Sequence, residues 1–358
     1  MEKFRIGIIG AGTITKLAHY TSLSALKDQA EVVAIADINE HQAVQLAEKY
    51  DTKHIFSGYR ELLRLADVDA VLISLPNFLH AKVAIEAMEA GKHVLCEKPM
   101  AINGLEAQQM VEVQKKTGKV LMVGLNNRFR SDVQFIKEQV NKGELGEIYY
   151  AKCGWMRRAG IPGWGTWFTT KSKSGGGPLI DIGVHMLDVT LYLMGNPKPV
   201  SVVGATYIKF GHTKEGLNRV SWGDVNENGM FDVEDLATAF IRLDNGATLA
   251  LEVSWAANIA KDDVYVQLLG NKSGIRLTND TGLTIYTERE GFQHDITPHI
   301  TYDDQQARIN MWKHFLHCLE TGETPLCSPE QGLLVNQILD AIYQSSETGR
   351  QVFINQEV

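Results

Sequence analysis

The sequence contains no run of the ~18 to 20 apolar residues that a membrane-crossing helix requires, and none of its basic residues gather into a tract. The first absence speaks against a membrane-spanning protein. The second, with 35 Lys and Arg set against 43 Asp and Glu for a net charge of −8, speaks against nucleic acid as the main partner. Secretory patterning is also missing, because Met1-Glu2-Lys3-Phe4 runs straight into an apolar stretch, so a cytoplasmic location is expected. Cysteine is sparse. Cys96, Cys153, Cys318 and Cys327 stand far apart with no C-x-x-C pair, which argues against a zinc or dithiol site and fits buried thiols in a reducing compartment.

What is present begins with length. At 358 residues the chain exceeds the ~250 to 300 at which one core stops growing, so two domains are expected. Residues 4 to 9 form an apolar run that ends at Gly10-Ala11-Gly12-Thr13-Ile14-Thr15 and a helical stretch. In a dinucleotide fold the first glycine allows the tight turn and the second lets the backbone approach a pyrophosphate at a helix N-terminus. A second apolar run, Val32 to Ala36, ends in Asp37, placed for an acid that binds the adenosine ribose hydroxyls and repels a 2′-phosphate, so NAD is expected over NADP. The bland alternative is a strand-turn-helix that binds nothing.

Strand and helix patterns then alternate. Helices are expected over 39 to 49, 58 to 65, 77 to 90 and 103 to 117, and strands over Ala70 to Leu75, up to Lys98, and at Val120 to Val123. That alternation implies a parallel sheet. Asn77 and His80 would lie at the lip of one strand, near a nicotinamide; for His80 the alternative is an imidazole satisfied by backbone. Lys98 closes the run His93-Val94-Leu95-Cys96-Glu97, where open α/β sheets bind ligands. It is read as a proton-handling cation beside the cofactor, against the alternative of a solvated charge.

After Arg128 the grammar changes. A helix near 131 to 142 precedes strand patterns at Ile148 to Met156, Val200 to Ile208, Leu236 to Leu243, Thr248 to Trp255, Val264 to Leu269 and Leu283 to Thr287, with Asn245-Gly246 as a hairpin turn. The fold class is therefore α/β: a dinucleotide-binding Rossmann domain over residues 1–125, then an α+β substrate and oligomerisation domain over 126–358 with an open-faced, mainly antiparallel sheet. The open face suggests a homodimer or homotetramer. Helices resume over 304 to 348, opened in part by Ser328-Pro329-Glu330-Gln331, and show no chemistry.

Between two of those strands lies Gly175-Gly176-Gly177-Pro178, followed by a helical pattern that puts Asp181, His185 and Asp188 on one face. An imidazole oriented by a carboxylate can exchange a proton with a substrate hydroxyl; the alternative is a buried structural pair. The adjoining glycines would let backbone approach a ligand. The stretch Trp155 to Trp167 is rich in tryptophan and arginine, which suit a polyhydroxylated substrate. Arg157 and Trp164 are the substrate-side candidates, against a loop merely anchored by aromatic packing. Asp224-x-Asn226-x-Asn228-Gly229 to Asp235 imitates a calcium loop, but no helices flank it, and no metal is expected.

Together, Gly10-Ala11-Gly12, the stretch from Ala90-Gly91-Lys92-His93 to Glu97-Lys98-Pro99, and Gly175-Gly176-Gly177 to Asp181-x-x-x-His185 resemble the glucose-fructose oxidoreductase and inositol dehydrogenase (Gfo/Idh/MocA) family. The resemblance runs the whole chain in order, through Val233-Glu234-Asp235 and Asn245-Gly246. It implies hydride transfer between NAD(P) and a carbinol carbon of a sugar, cyclitol or relative. It maps the family's lysine to Lys98, its helix aspartate to Asp181 and its helix histidine to His185. The expected cofactor contacts are Gly10, Gly12, Thr13, Ile14, Asp37, Asn77, His80, Glu97 and Lys98. Asp181 and His185 join Arg157 and Trp164 at the substrate. Thr15 departs from the family's glycine-rich loop. Either His185 is the base and Lys98 the oxyanion partner, or the reverse. A hydrolase or isomerase with transient oxidation, and a non-catalytic sensor, remain the competing readings.

Overall fold

The computed structural model describes residues 3–214 and 225–354. The chain divides into two compact units, Met1–Arg130 with Asp303–Leu333, and Ser131–Tyr302 with Leu334–Val358.

In the first unit six strands, β1 (Phe4–Ile9), β2 (Ala30–Ala36), β3 (His54–Phe56), β4 (Ala70–Ile73), β5 (His93–Glu97) and β6 (Leu121–Gly124), form one sheet in the order β3-β2-β1-β4-β5-β6. Every pairing is parallel. Helices cover a parallel sheet on both faces, which is why β4 is apolar and buried at all four positions. The crossover helices Glu40–Tyr50 and Gly104–Thr117 start where Asn39 and Asn103 accept the amides of Gln42 and Glu106 at 3.2 and 2.8 Å, satisfying N–H groups that a helix start leaves bare. The helix Asp304–Thr321 also belongs here: it buries Met311, Trp312 and Phe315, and Gln305 bonds the Ser22 hydroxyl at 2.9 Å.

The first helix opens with a wide π-type turn, Thr15–His19, and continues as Tyr20–Ser24. Thr15 fits this turn. Its buried hydroxyl donates to the Gly10 carbonyl at 2.7 Å and shares a 2.9 Å hydrogen bond with the Ser74 hydroxyl. The departure from a third glycine therefore ties the loop to β4.

The second unit is built on a nine-stranded sheet of β7 (Ile148–Met156), β8 (Pro199–Tyr207), β9 (Leu236–Leu243), β10 (Thr248–Ser254), β11 (Asp263–Gly270), β12 (Ser273–Thr278), β13 (Gly282–Arg289), β14 (Phe292–Ile296) and β15 (Val352–Phe353), in the order β14-β13-β12-β11-β7-β10-β9-β8-β15. β9 and β10 pair antiparallel across Asn245-Gly246, where Gly246 takes a φ of 85°. β10 pairs with β7 in parallel, which the long connection between them permits. Along β10 Leu249, Leu251 and Val253 are buried while Thr248, Ala250 and Glu252 are half-exposed. On the opposite face Val203 and Phe240, paired across β8 and β9, are both exposed among the described residues.

Replacing Thr15 by Val strands the Gly10 carbonyl and the Ser74 hydroxyl. We expect a loss of ~1 to 3 kcal/mol in urea unfolding, with Thr15→Ser close to wild type.

Candidate active site

At the carboxyl ends of β1 and β2 lie the glycine turn and Asp37. Gly10 has a φ of 104°, and a Cβ there would run into the Ser74 carbonyl, so only glycine makes this turn. A Cβ on Gly12 would meet nothing within 4 Å, leaving its backbone open to a phosphate. Thr13 is exposed and Ile14 half-exposed beside it. Asp37 is held by main-chain donors: Oδ2 accepts the Ala11 amide at 2.6 Å and Oδ1 the Asn39 amide at 2.7 Å. Each oxygen keeps a lone pair for a ribose hydroxyl. These residues fit a dinucleotide.

At the end of β5, Lys98 is half-buried on a turn fixed from both sides. Glu97 is buried; its Oε2 accepts the Lys98 amide at 3.1 Å and its Oε1 the His19 imidazole at 2.8 Å. Burial pushes the Glu97 carboxyl up, but the His19 hydrogen bond and the charges of Arg308 and Lys98 outweigh it and hold the group down at about 2. His80, 1% exposed, has Nδ1 2.7 Å from the Pro99 carbonyl and Nε2 2.8 Å from the Leu75 carbonyl, and burial lowers its pKa. Glu97 and His80 both direct their polar atoms at protein and brace the turn, and for His80 this is the backbone-satisfied alternative. Asn77 is buried in the short helical turn after β4. Lys92 serves structure too, its ammonium capping the carbonyls of Leu65 and Val68 at 2.5 and 2.8 Å.

In the second unit Asp181 lies in a π-type turn, Leu179–Gly183, that leads into the α-helix Val184–Leu193 carrying His185. Asp181 and His185 are half-buried, whereas Asp188 is buried at 1%. The wide turn shifts the phase between Asp181 and His185, whereas His185 and Asp188 share one regular α-helix. Asp181 Oδ2 accepts the Trp255 indole N–H at 3.0 Å. The Trp155 ring lies 6.3 Å from His185 between centroids, and the Arg157 guanidinium sits 5.2 Å from that tryptophan. Trp155 thus links His185 to Arg157, while Trp255 holds the Asp181 carboxylate. Trp164 is corrected: its indole donates to the Gly211 carbonyl at 2.8 Å and its ring stacks on Phe231, 6.5 Å between centroids, which is the anchoring role.

The triple glycine serves the protein itself. Gly175 ends a short helix at a φ of 88°, and a Cβ on Gly176 or Gly177 would strike the Tyr343 hydroxyl or the Glu234 carbonyl. Buried Glu234 accepts the Gly177 and Leu179 amides, each at 3.0 Å, and the Tyr343 hydroxyl at 2.9 Å, tying down the start of the Asp181 turn. Burial raises this carboxyl above its usual range, and those donors offset only part of the rise. Sequence reasoning passed over Glu234, Tyr343, Trp255, His19 and Trp312; the one available signal was an acidic pair, Glu234-Asp235, directly ahead of an apolar strand. In the calcium-like segment Asp224 lies outside the described residues, while Asp232 accepts the Lys171 amide at 2.6 Å and Asp235 the amides of Lys209, Phe210 and Gly211 at 2.6 to 3.1 Å. Among the described residues no cluster of three or more His, Cys, Asp or Glu is arranged for a metal, and no helix is long and apolar enough to cross a membrane.

A sheet in this order with a glycine turn and an acid at the ends of β1 and β2 defines a Rossmann domain of the dinucleotide-binding class. Residues 4–125 match the oxidoreductase family described as having an NAD-binding Rossmann fold, and residues 137–354 match that family's C-terminal alpha/beta domain. The chain belongs to this Gfo/Idh/MocA family. It is 36% identical over 349 residues to D-glucoside 3-dehydrogenase of Escherichia coli (strain K12), covering 97% of each chain. Myo-inositol 2-dehydrogenase of Thermotoga maritima is 26% identical over 99% of each. A solved levoglucosan dehydrogenase in complex with NADH superposes with a TM-score of 0.87 at 24% identity, over 99% of this chain and 100% of that one.

The charge on Glu97 makes stability depend on acid. Its folded-state pKa lies below the ordinary 4.5, so its contribution is complete above pH 4.5 and lost as pH falls toward 2. That contribution is on the order of 3 kcal/mol; urea unfolding between pH 2.5 and 7 should show Glu97→Gln weaker at neutral pH with a flatter acid limb. Gly177→Ala should cost more than ~2 kcal/mol in the same measurement, because backbone rather than a flexible side chain must yield.

Proposed function

We propose that this protein oxidises a secondary alcohol carbon of a sugar, glycoside or cyclitol with NAD as hydride acceptor. The observation that carries the reading is the His185 imidazole beside the Trp155 ring, with the Arg157 guanidinium near that same ring and the Asp181 carboxylate held by the Trp255 indole. Aromatic faces stack on sugar C–H surfaces, and a guanidinium donates to hydroxyl oxygens. The curated relatives named above act on a glucoside and an inositol, which supports the same substrate class.

Gly10, Gly12, Thr13 and Ile14 would hold the cofactor's pyrophosphate, and Asp37 its adenosine ribose, the acid favouring NAD over NADP. When bound, the nicotinamide supplies an acceptor for the hydride that leaves the carbinol carbon. The hydroxyl proton must leave as the carbonyl forms. His185, oriented through Asp181, takes it, and the Lys98 ammonium donates a hydrogen bond to the oxygen on which negative charge develops. Arg157 orients the remaining hydroxyls. In this reading the open face of the nine-stranded sheet, with Val203 and Phe240 exposed on it, is where copies of the chain associate as a homodimer or homotetramer. The four buried thiols suit the cytoplasm.

Absorbance at 340 nm with NAD and a panel of glycosides, aldoses and inositols should rise with at least one compound. No NADH from any of them, with substrate consumed all the same, would favour transient oxidation instead. His185→Ala should lower turnover ~10² to 10⁴-fold while NAD binding, followed by fluorescence, is retained.

A further inference from the structure

The turn bearing Lys98 is fixed by a chain of hydrogen bonds that begins far away in the sequence. Trp312, fully buried in the helix Asp304–Thr321, points its indole N–H at His19 Nδ1, 3.0 Å away, and the two rings meet edge to face at 87°. An indole nitrogen can only donate. His19 Nδ1 must therefore be a bare acceptor, and the imidazole proton must sit on Nε2, 2.8 Å from Glu97 Oε1. Glu97 then turns its second oxygen to the Lys98 amide at 3.1 Å. Trp312, His19 and Glu97 are each buried, so no water competes for the bonds among them.

We propose that His19 and Trp312 are positioning residues for Lys98. Trp312 selects the His19 tautomer, that tautomer supplies the donor that orients the Glu97 carboxylate, and the carboxylate fixes the backbone from which Lys98 reaches the reacting oxygen. This rests on the role given to Lys98 above. Misplacing a reacting group by about an ångström can cost ~10²-fold, so the effect belongs in kcat rather than in KM or cofactor affinity.

The test uses the full-length enzyme, NAD and the best compound from the panel. Nitrogen-15 NMR of the histidines at pH 7.5 should show His19 protonated on Nε2 and bare on Nδ1. Trp312→Phe, which keeps a ring and removes the donor, should lower kcat ~10-fold with KM and NAD binding changed less than ~2-fold. His19→Leu should lower kcat at least as far. His19→Gln should recover most of it, because an amide presents one acceptor and one donor in place of the two ring nitrogens. Lys98→Met separates the two levels of the argument. If Lys98→Met abolishes turnover while His19→Leu and Trp312→Phe leave kcat at the wild-type value, the positioning role is overturned and the role of Lys98 stands. If Lys98→Met turns over normally, both fall. A His19 proton on Nδ1 in the spectrum overturns the proposal whether or not any variant folds.

Discussion

Carboxylates that capture the main-chain amides of irregular segments are the interaction on which both regions depend. Asp37 holds Ala11 of the glycine turn, Glu97 holds Lys98, and Glu234 holds Gly177 and Leu179 ahead of Asp181. A hydrogen bond to an ionised group contributes ~1.5 to 3 kcal/mol, and losing the acceptor leaves a buried donor unsatisfied. In each case the reactive or ligand-facing segment is irregular backbone, and a regular ladder could not fix it. The acids supply the missing partners without adding bulk.

This arrangement bears on chemistry through preorganisation. A lysine or histidine side chain has several rotatable bonds, and its usefulness in a transition state depends on how firmly its root is held. At Lys98 the root is bracketed by His19 acting through Glu97 and by His80 at the Pro99 carbonyl. At Asp181 and His185 it is bracketed by Glu234 below and by the Trp255 indole and Trp155 ring at the side chains. The side chains proposed to bind and react are therefore fewer than those that hold their backbone in place.

The parallel sheet, the glycine turn, Asp37 and the strand leading to Lys98 could be read from sequence because each is local: an apolar run, a turn and a helix lie within about thirty residues of one another. The long antiparallel strands were legible for the same reason, through alternation and the Asn245-Gly246 turn. What escaped were the very short β3 and β15, and β12 and β14, where Gly274 and Arg276 or largely exposed polar residues blur the pattern. Non-local partnerships escaped as well. Nothing near His19 in the chain announces Trp312, which lies 293 positions away. His80 and Trp164 look like ligand-facing residues by type, and only the fold reveals that their polar atoms are already engaged. Gln331 is similar, since its side chain meets Arg128 rather than folding back onto its own helix start as a capping box would.

The first unit is assembled from two stretches, Met1–Arg130 and Asp303–Leu333, with most of the second spliced between them. A graft that moved only the leading 130 residues onto another family member would leave behind the native Trp312 and Gln331 on which that half relies. Recombining nucleotide specificity with a new sugar preference therefore calls for two crossover points, one on each side of the insertion.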